Sequence, residues 1–190
     1  MYIVGASTLG RIVLDVVHDL GWAVDGFVDD TMADVSVGGV RVVGGLDWLC
    51  TRAATGGTAV EAFVAIGSNA PRLEVFRRLI TAGVRLPNLI HPRAYIARTA
   101  TMGRANLIAP FAYVGSGVVL GDANLLLVGS NVHHDNVVGD GNFLAPNVTI
   151  AGRTRIGHRC KFGSNSAVGP DLSLSDGFVC EAASAVDTSR

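Results

Sequence analysis

The chain has 190 residues, 49% of them apolar, which is enough for the core of one large domain or of two small ones. Its formal net charge of −1 and the lack of any basic cluster exclude the phosphate-tracking surface of a nucleic-acid-binding protein. No stretch approaches the ~18 apolar residues of a membrane span, and a strand pattern starts at Tyr2 with no charged, apolar leader before it, so a cytoplasmic location is expected.

The first 88 residues alternate strand and helix patterns. Tyr2-Ile3-Val4 reads as a strand and the stretch from Gly5 to Gly10 as a turn; Ile12, Val13, Val16, Val17 and Leu20 then form a helical stripe closed by Gly21. A second strand ends in Gly26-Phe27-Val28 and stops at Asp29-Asp30. Val35 to Val43, broken by Gly38-Gly39, suggests a hairpin, and Leu46 to Ala54 a helix. A third strand, Glu61 to Ile66, runs into Gly67-Ser68-Asn69, after which Pro71 opens a helix closed by Gly83.

Strand, glycine turn, helix, strand, acidic pair is the layout of a nucleotide-binding βαβ unit. The turn places backbone N–H groups and a helix N-terminus where a diphosphate would sit, and Asp29 or Asp30 can accept from a ribose or a base. Only Gly5 and Gly10 match the dinucleotide fingerprint, so a plain tight turn fits this stretch at least as well when it is taken alone. His91, before Pro92 at the junction of the halves, reads as an extended linker or packing residue.

From Ile96 onward every sixth residue is bulky and apolar, through Met102, Ile108 and Val114 to Cys180 and Val186, sixteen positions without a slip. A period of six fits neither a helix nor an alternating strand, and it marks a hexapeptide β-helix in which each repeat makes one short strand and one corner. Three repeats close a triangular coil, so five coils are expected, with residues 18 apart directly above one another. Asn106, Asn124 and Asn142 then form an internal ladder of buried amides. The glycines that follow the apolar residue, such as Gly115, Gly121 and Gly139, suit tight corners and close backbone approach. Of the three cysteines, Cys160 and Cys180 fall at inward positions; with Cys50 they have no metal spacing and read as reduced core thiols.

The densest polar cluster in the repeats is His133-His134-Asp135-Asn136. Histidine is matched to proton transfer near neutral pH, and a neighbouring carboxylate can fix its tautomer. Stacking puts His134 between Ser116 and Gly152, so open volume and a backbone N–H for an oxyanion are expected above it. Asp135 stacks beneath Arg153, a competing partner. A hydrated polar corner fits these residues about as well as a site.

The GASTLG turn, VDD after the second strand, AIGSN with Arg72, NLIHP at the junction and HHDNVVGD within hexapeptide repeats together resemble the sialic acid O-acetyltransferase family, which includes bacterial nucleotide-amino-sugar N-acetyltransferases. The resemblance covers almost the whole chain. It implies an α/β Rossmann-like domain over residues 1–88 that binds a nucleotide sugar, a UDP-amino sugar above all, and an all-β left-handed parallel β-helix over residues 89–190 that binds acetyl-CoA. It also implies a homotrimer with active sites between neighbouring prisms. Carried over by position, the catalytic histidine is His134 and its acidic helper Asp135. Acceptor contacts fall on Gly5, Ser7, Thr8, Leu9, Gly10, Asp29, Asp30, Gly67, Asn69 and Arg72, and coenzyme contacts on Phe143, Gly152, Ser164 and Ala182. Thr8-Leu9 stands where the family has Gly-His, Phe143 where a second histidine holds the acetyl end of the coenzyme, and the family's closing tail is expected to be missing after Asp187-Thr188-Ser189-Arg190.

The expected activity is transfer of acetyl from acetyl-CoA to an amine or hydroxyl of a bacterial sugar, with His134 as general base and no metal. The first rival is a non-catalytic trimeric binding or assembly module. The second is a metal hydrolyase using His133, His134 and His158, although His158, 24 residues after His134, falls on the next face of the prism.

Overall fold

The computed structural model describes residues 1–32, 35–56 and 58–187, and the chain forms two compact units, Met1–Pro87 and Asn88–Arg190. Among the described residues no helix is long and apolar enough to cross a membrane.

The first unit is a five-stranded sheet with helices in the connections. Its elements are β1 (Tyr2–Val4), α1 (Thr8–Asp19), β2 (Gly26–Val28), β3 (Ser36–Val37), β4 (Val40–Gly44), α2 (Leu46–Thr55), β5 (Ala62–Val64) and α3 (Asn69–Thr81). The strand order is β3-β4-β2-β1-β5, parallel except at the β3–β4 hairpin. That hairpin turns on Gly38 and Gly39, both at positive φ, as a two-residue turn with matching twist requires. Strands β1, β2 and β5 are buried throughout, as expected of parallel strands covered on both faces. Helix α3 begins at Asn69, two residues ahead of Pro71, so the proline lies within the first turn, where it costs no hydrogen bond.

The second unit is a parallel β-helix whose two-residue strands form three sheets of six, five and six strands. The register is the one the spacing of 18 requires: Ile96, Val114, Val132, Ile150, Val168 and Val186 stack in one column. The repeat starts one step earlier than the apolar count from Ile96, because Leu89–Ile90 (β6) pairs with Leu107–Ile108. The interior is a single apolar column, with Val114, Leu126, Leu144 and Phe162 fully buried.

The asparagine ladder is present, and Asn88 extends it downward. Asn106, Asn124 and Asn142 are completely buried. The side-chain oxygen of Asn88 accepts from the backbone N–H of Asn106, that of Asn106 from Asn124, that of Asn124 from Asn142, and that of Asn142 from Cys160, all at 2.7–2.9 Å. Asn136 does the same for Thr154 on another face, at 2.7 Å.

The corners differ from the glycine expectation. The left-handed residue comes three places after the apolar one, at Ala105, Phe111, Gly117 and every sixth position to Ala183; ten of these fourteen corners are not glycine. The glycines directly after the apolar residue answer only to close approach. A Cβ on Gly121 would lie 2.8 Å from the Gly139 carbonyl oxygen, and one on Gly163 would lie 2.4 Å from the Ala182 nitrogen. Cys160 and Cys180 are buried thiols outside any disulfide, Cys50 is partly exposed, and burial pushes the Cys160 thiol up.

Candidate active site

In the first unit the Gly5–Gly10 turn is shaped by two backbone contacts. Gly5 has φ +104° and its Cβ would strike the Ala65 carbonyl oxygen at 2.7 Å, while a Cβ on Gly10 would meet the Gly5 carbonyl oxygen at 2.2 Å. Asp29 closes the turn from the end of β2. One of its oxygens accepts from the Ala6 N–H at 2.9 Å, and the other accepts from the N–H and hydroxyl of Thr31 at 2.9 and 2.8 Å. Burial works against this carboxylate, yet the donated hydrogen bonds outweigh it and hold it below the usual carboxylate range. Asp30, exposed, accepts from the Leu46 N–H at 2.7 Å and so caps α2.

A cleft of about 440 Å³ opens at the N-terminus of α1, lined by Ala6, Ser7, Thr8 and Arg11 on one side and by Met32, Val35, Ser36, Val37 and Gly38 on the other. Ser7 and Thr8 are exposed into solvent at this point, but Leu9 is 8% exposed and belongs to the core. Arg72, expected as an acceptor contact, turns its guanidinium to the backbone of the loop after β5. It is fully buried, and it donates to the carbonyls of Ile66 and Gly67 at 2.9 and 3.0 Å and to Asn69 Oδ1 at 2.8 Å. Burial lowers its guanidinium to about 10. Arg72 and Asn69 therefore shape the loop after β5, in which Gly67 has open space where a Cβ would stand. Arg11, Met32 and Val35 were not singled out from sequence; Arg11, one turn into α1 and on the side of its N-terminus, was the one with a readable signal.

In the second unit the left-handed corner at Asp135 (φ 58°) folds its carboxylate back onto the preceding residue. His134 Nδ1 and Asp135 Oδ2 are 2.9 Å apart, with both side chains about half exposed. When Nδ1–H donates to Asp135, the Nε2 lone pair is left to accept a proton. Gly152 corrects one expectation. A Cβ there would come within 2.6 Å of Nε2 and Cε1 of His134, so the missing side chain is replaced by the imidazole itself rather than by open volume. Arg153 corrects another. Its Nε and Nη2 donate to the two carboxylate oxygens of Asp171 at 2.7 and 2.8 Å, leaving Asp135 with His134.

His133 turns its ring toward Tyr113, 5.9 Å between centroids, and Tyr113 stacks on Tyr95 at 5.3 Å. His158 Nδ1 accepts from the Asp140 N–H at 2.9 Å, one face away. The three histidines of the metal reading are thus held by separate partners, and among the described residues no group of three or more His, Cys, Asp or Glu is placed to hold a metal. His91 is buried and its Nδ1 accepts from the Arg93 N–H at 3.0 Å, a packing role. Phe143 and Ser164 are half-buried and Ala182 exposed, on outward faces of the prism.

Residues 1–79 match the PglD N-terminal domain, and residues 137–170 match the bacterial transferase hexapeptide repeats. No curated protein matches the chain. Among solved structures, PerB from Caulobacter crescentus, in complex with CoA and GDP-perosamine, is 27% identical with a TM-score of 0.91, over 98% of this chain and 87% of that one. The acetyltransferase domain of PglB from Neisseria gonorrhoeae, in complex with acetyl coenzyme A, is 26% identical with a TM-score of 0.86, over 95% and 87%. WeeI from Acinetobacter baumannii, 19% identical with a TM-score of 0.62, shares the fold. The fold is that of the left-handed β-helix acetyltransferases, preceded by a short α/β domain.

Proposed function

We propose, from the likeness of both halves of the chain to the nucleotide-amino-sugar acetyltransferases, that it transfers acetyl from acetyl-CoA to the amino group of a nucleoside-diphosphate sugar. The observation that carries this reading is the 2.9 Å contact between His134 Nδ1 and Asp135 Oδ2, seated against Gly152 in a β-helix of the acetyltransferase kind. PerB binds CoA and a GDP-amino sugar, and the PglB domain binds acetyl coenzyme A. Both supply the substrate classes.

In this reading His134 Nε2 removes the proton of the sugar amine as its nitrogen attacks the thioester carbonyl. The C–N bond forms, the tetrahedral intermediate collapses with loss of the CoA sulfur, and the proton on Nε2 passes to that sulfur. Asp135 keeps the proton on Nδ1 and steadies the imidazolium between the two transfers. Transfer is direct, since the cluster holds no cysteine or serine in a nucleophile's place.

The acceptor's diphosphate lies at the N-terminus of α1, against Ser7, Thr8 and the cation Arg11. Its ribose or base lies toward the apolar lip of Met32 and Val35, and Asp29 and Asp30, just after β2, are the acceptors assigned to it. The coenzyme runs along Phe143, Ser164 and Ala182, and the assembly is a homotrimer. Uridine is the base that the family resemblance implies and guanosine the base in the PerB complex. Release of the CoA thiol, followed with UDP- and GDP-linked amino sugars and with sugars bearing only hydroxyls, tests the reading. Thiol release with none of them contradicts it.

A further inference from the structure

Four corner residues stack beside the His134 cluster: Gly117, Asp135, Arg153 and Asp171, all at positive φ. Arg153 therefore has an aspartate one coil above it and another one coil below, each a strand spacing of roughly 4.8 Å away. It is committed to the upper one through two parallel hydrogen bonds of 2.7 and 2.8 Å to Asp171. Asp135 leans the other way, its Oδ1 2.5 Å from where a Cβ of Gly117 would be, and gives its Oδ2 to His134.

An arginine and a neutral imidazole are unequal competitors for one carboxylate. A bidentate Arg–carboxylate bond carries charge on both partners and is about twice as strong as a bond to a neutral donor. If Arg153 turned down, Asp135 would leave His134 Nδ1. The groups are already coupled across this corner: Asp171 first, and Asp135 after it, favour the charged form of Arg153, and His134 also helps hold Asp171 below the usual carboxylate range.

We propose that Asp171 is a positioning residue for acetyl transfer: by holding Arg153 upward it keeps Asp135 free to orient His134. The proposal rests on the reading of His134 as the base.

Glycine is the substitution of choice at both positions, because Gly117, Gly129, Gly141 and Gly177 already occupy equivalent left-handed corners. Asp171→Gly should lower kcat about tenfold with KM for both substrates within about twofold, and should shift the nitrogen and proton resonances of His134 Nδ1–H. Adding Arg153→Gly should restore both readouts, while Arg153→Gly alone should resemble the unaltered protein. A merely structural role for Asp171 would not be reversed by removing its partner. Unchanged kcat and resonances in Asp171→Gly, or a double variant as impaired as the single one, overturn the proposal. Should the unaltered protein transfer no acetyl group at all, the base reading fails by itself, and the His134 resonances still decide whether Asp171 governs the Asp135 contact.

Discussion

Arg72 shows how a residue type that suggests anion binding can serve the backbone instead. Its guanidinium is buried against the carbonyls of Ile66 and Gly67, where an arginine is the one side chain long and donor-rich enough to satisfy both. Arg72→Met leaves those carbonyls without donors and should cost about 2–4 kcal/mol in chemical denaturation. It should also raise KM for the acceptor while leaving KM for acetyl-CoA alone. Equal stability of the variant would show that the loop finds other donors. Asp29 makes a prediction of the opposite electrostatic kind. Its folded value is depressed, so the stabilisation it gives is present above the unfolded carboxylate value of about 3.9 and is lost as pH falls through the lower folded value. Asp29→Asn should therefore lose stability less steeply than the unaltered chain between about pH 6 and about pH 3, read from urea midpoints. Parallel slopes would contradict this account of the Gly5–Gly10 turn.

Among the elements, the ladder of amides is the sharpest energetic statement the β-helix offers. Asn124 accepts from the Asn142 N–H and gives its own amide to Asn106, all three completely buried. Asn124→Ala removes the acceptor of the Asn142 N–H and one of the two donors to Asn106 Oδ1, and should cost about 2–4 kcal/mol, whereas Asn88→Ala, at the half-buried lower end, should cost about 1 kcal/mol or less. Urea denaturation of the two variants measures the difference, and equal losses would mean that the ladder does not act through burial. The ladder and the strands were readable because a period of six is a property of side chains: an apolar residue must enter the prism at each turn. The corners were not readable, because the left-handed place is taken by Phe111, Asp135 or Arg159 as readily as by glycine. The stacked coils hold the backbone there. Gly152 was legible as a special position but not in its purpose. Spacing shows which residues are neighbours, while the direction in which His134 and Arg153 turn depends on rotamers and on Asp171, which no motif marked.

For the whole molecule, the sequence resemblance, the matches to both halves and the shared fold converge on a sugar acetyltransferase. What spacing alone could not supply was handedness and the identity of the ligands. The former depends on how the chain turns between strands, the latter on side chains such as Arg11 that line a cleft without forming a motif. The last coil, residues 174–190, is expected to be frayed or covered by a neighbouring molecule; Ala185–Val186 pairs with Ala167–Val168 as the earlier strands do, and residues 188–190 lie outside the described residues. The central claim is that His134 is the base of an acetyl transfer. It is tested most directly by turnover with acetyl-CoA and a nucleoside-diphosphate amino sugar for His134→Ala beside His133→Ala. The account predicts a loss of ~10² to 10⁴ in kcat for the first, a far smaller loss for the second, and unchanged coenzyme binding in both. Full activity in His134→Ala would contradict it, and so would equal losses in the two variants.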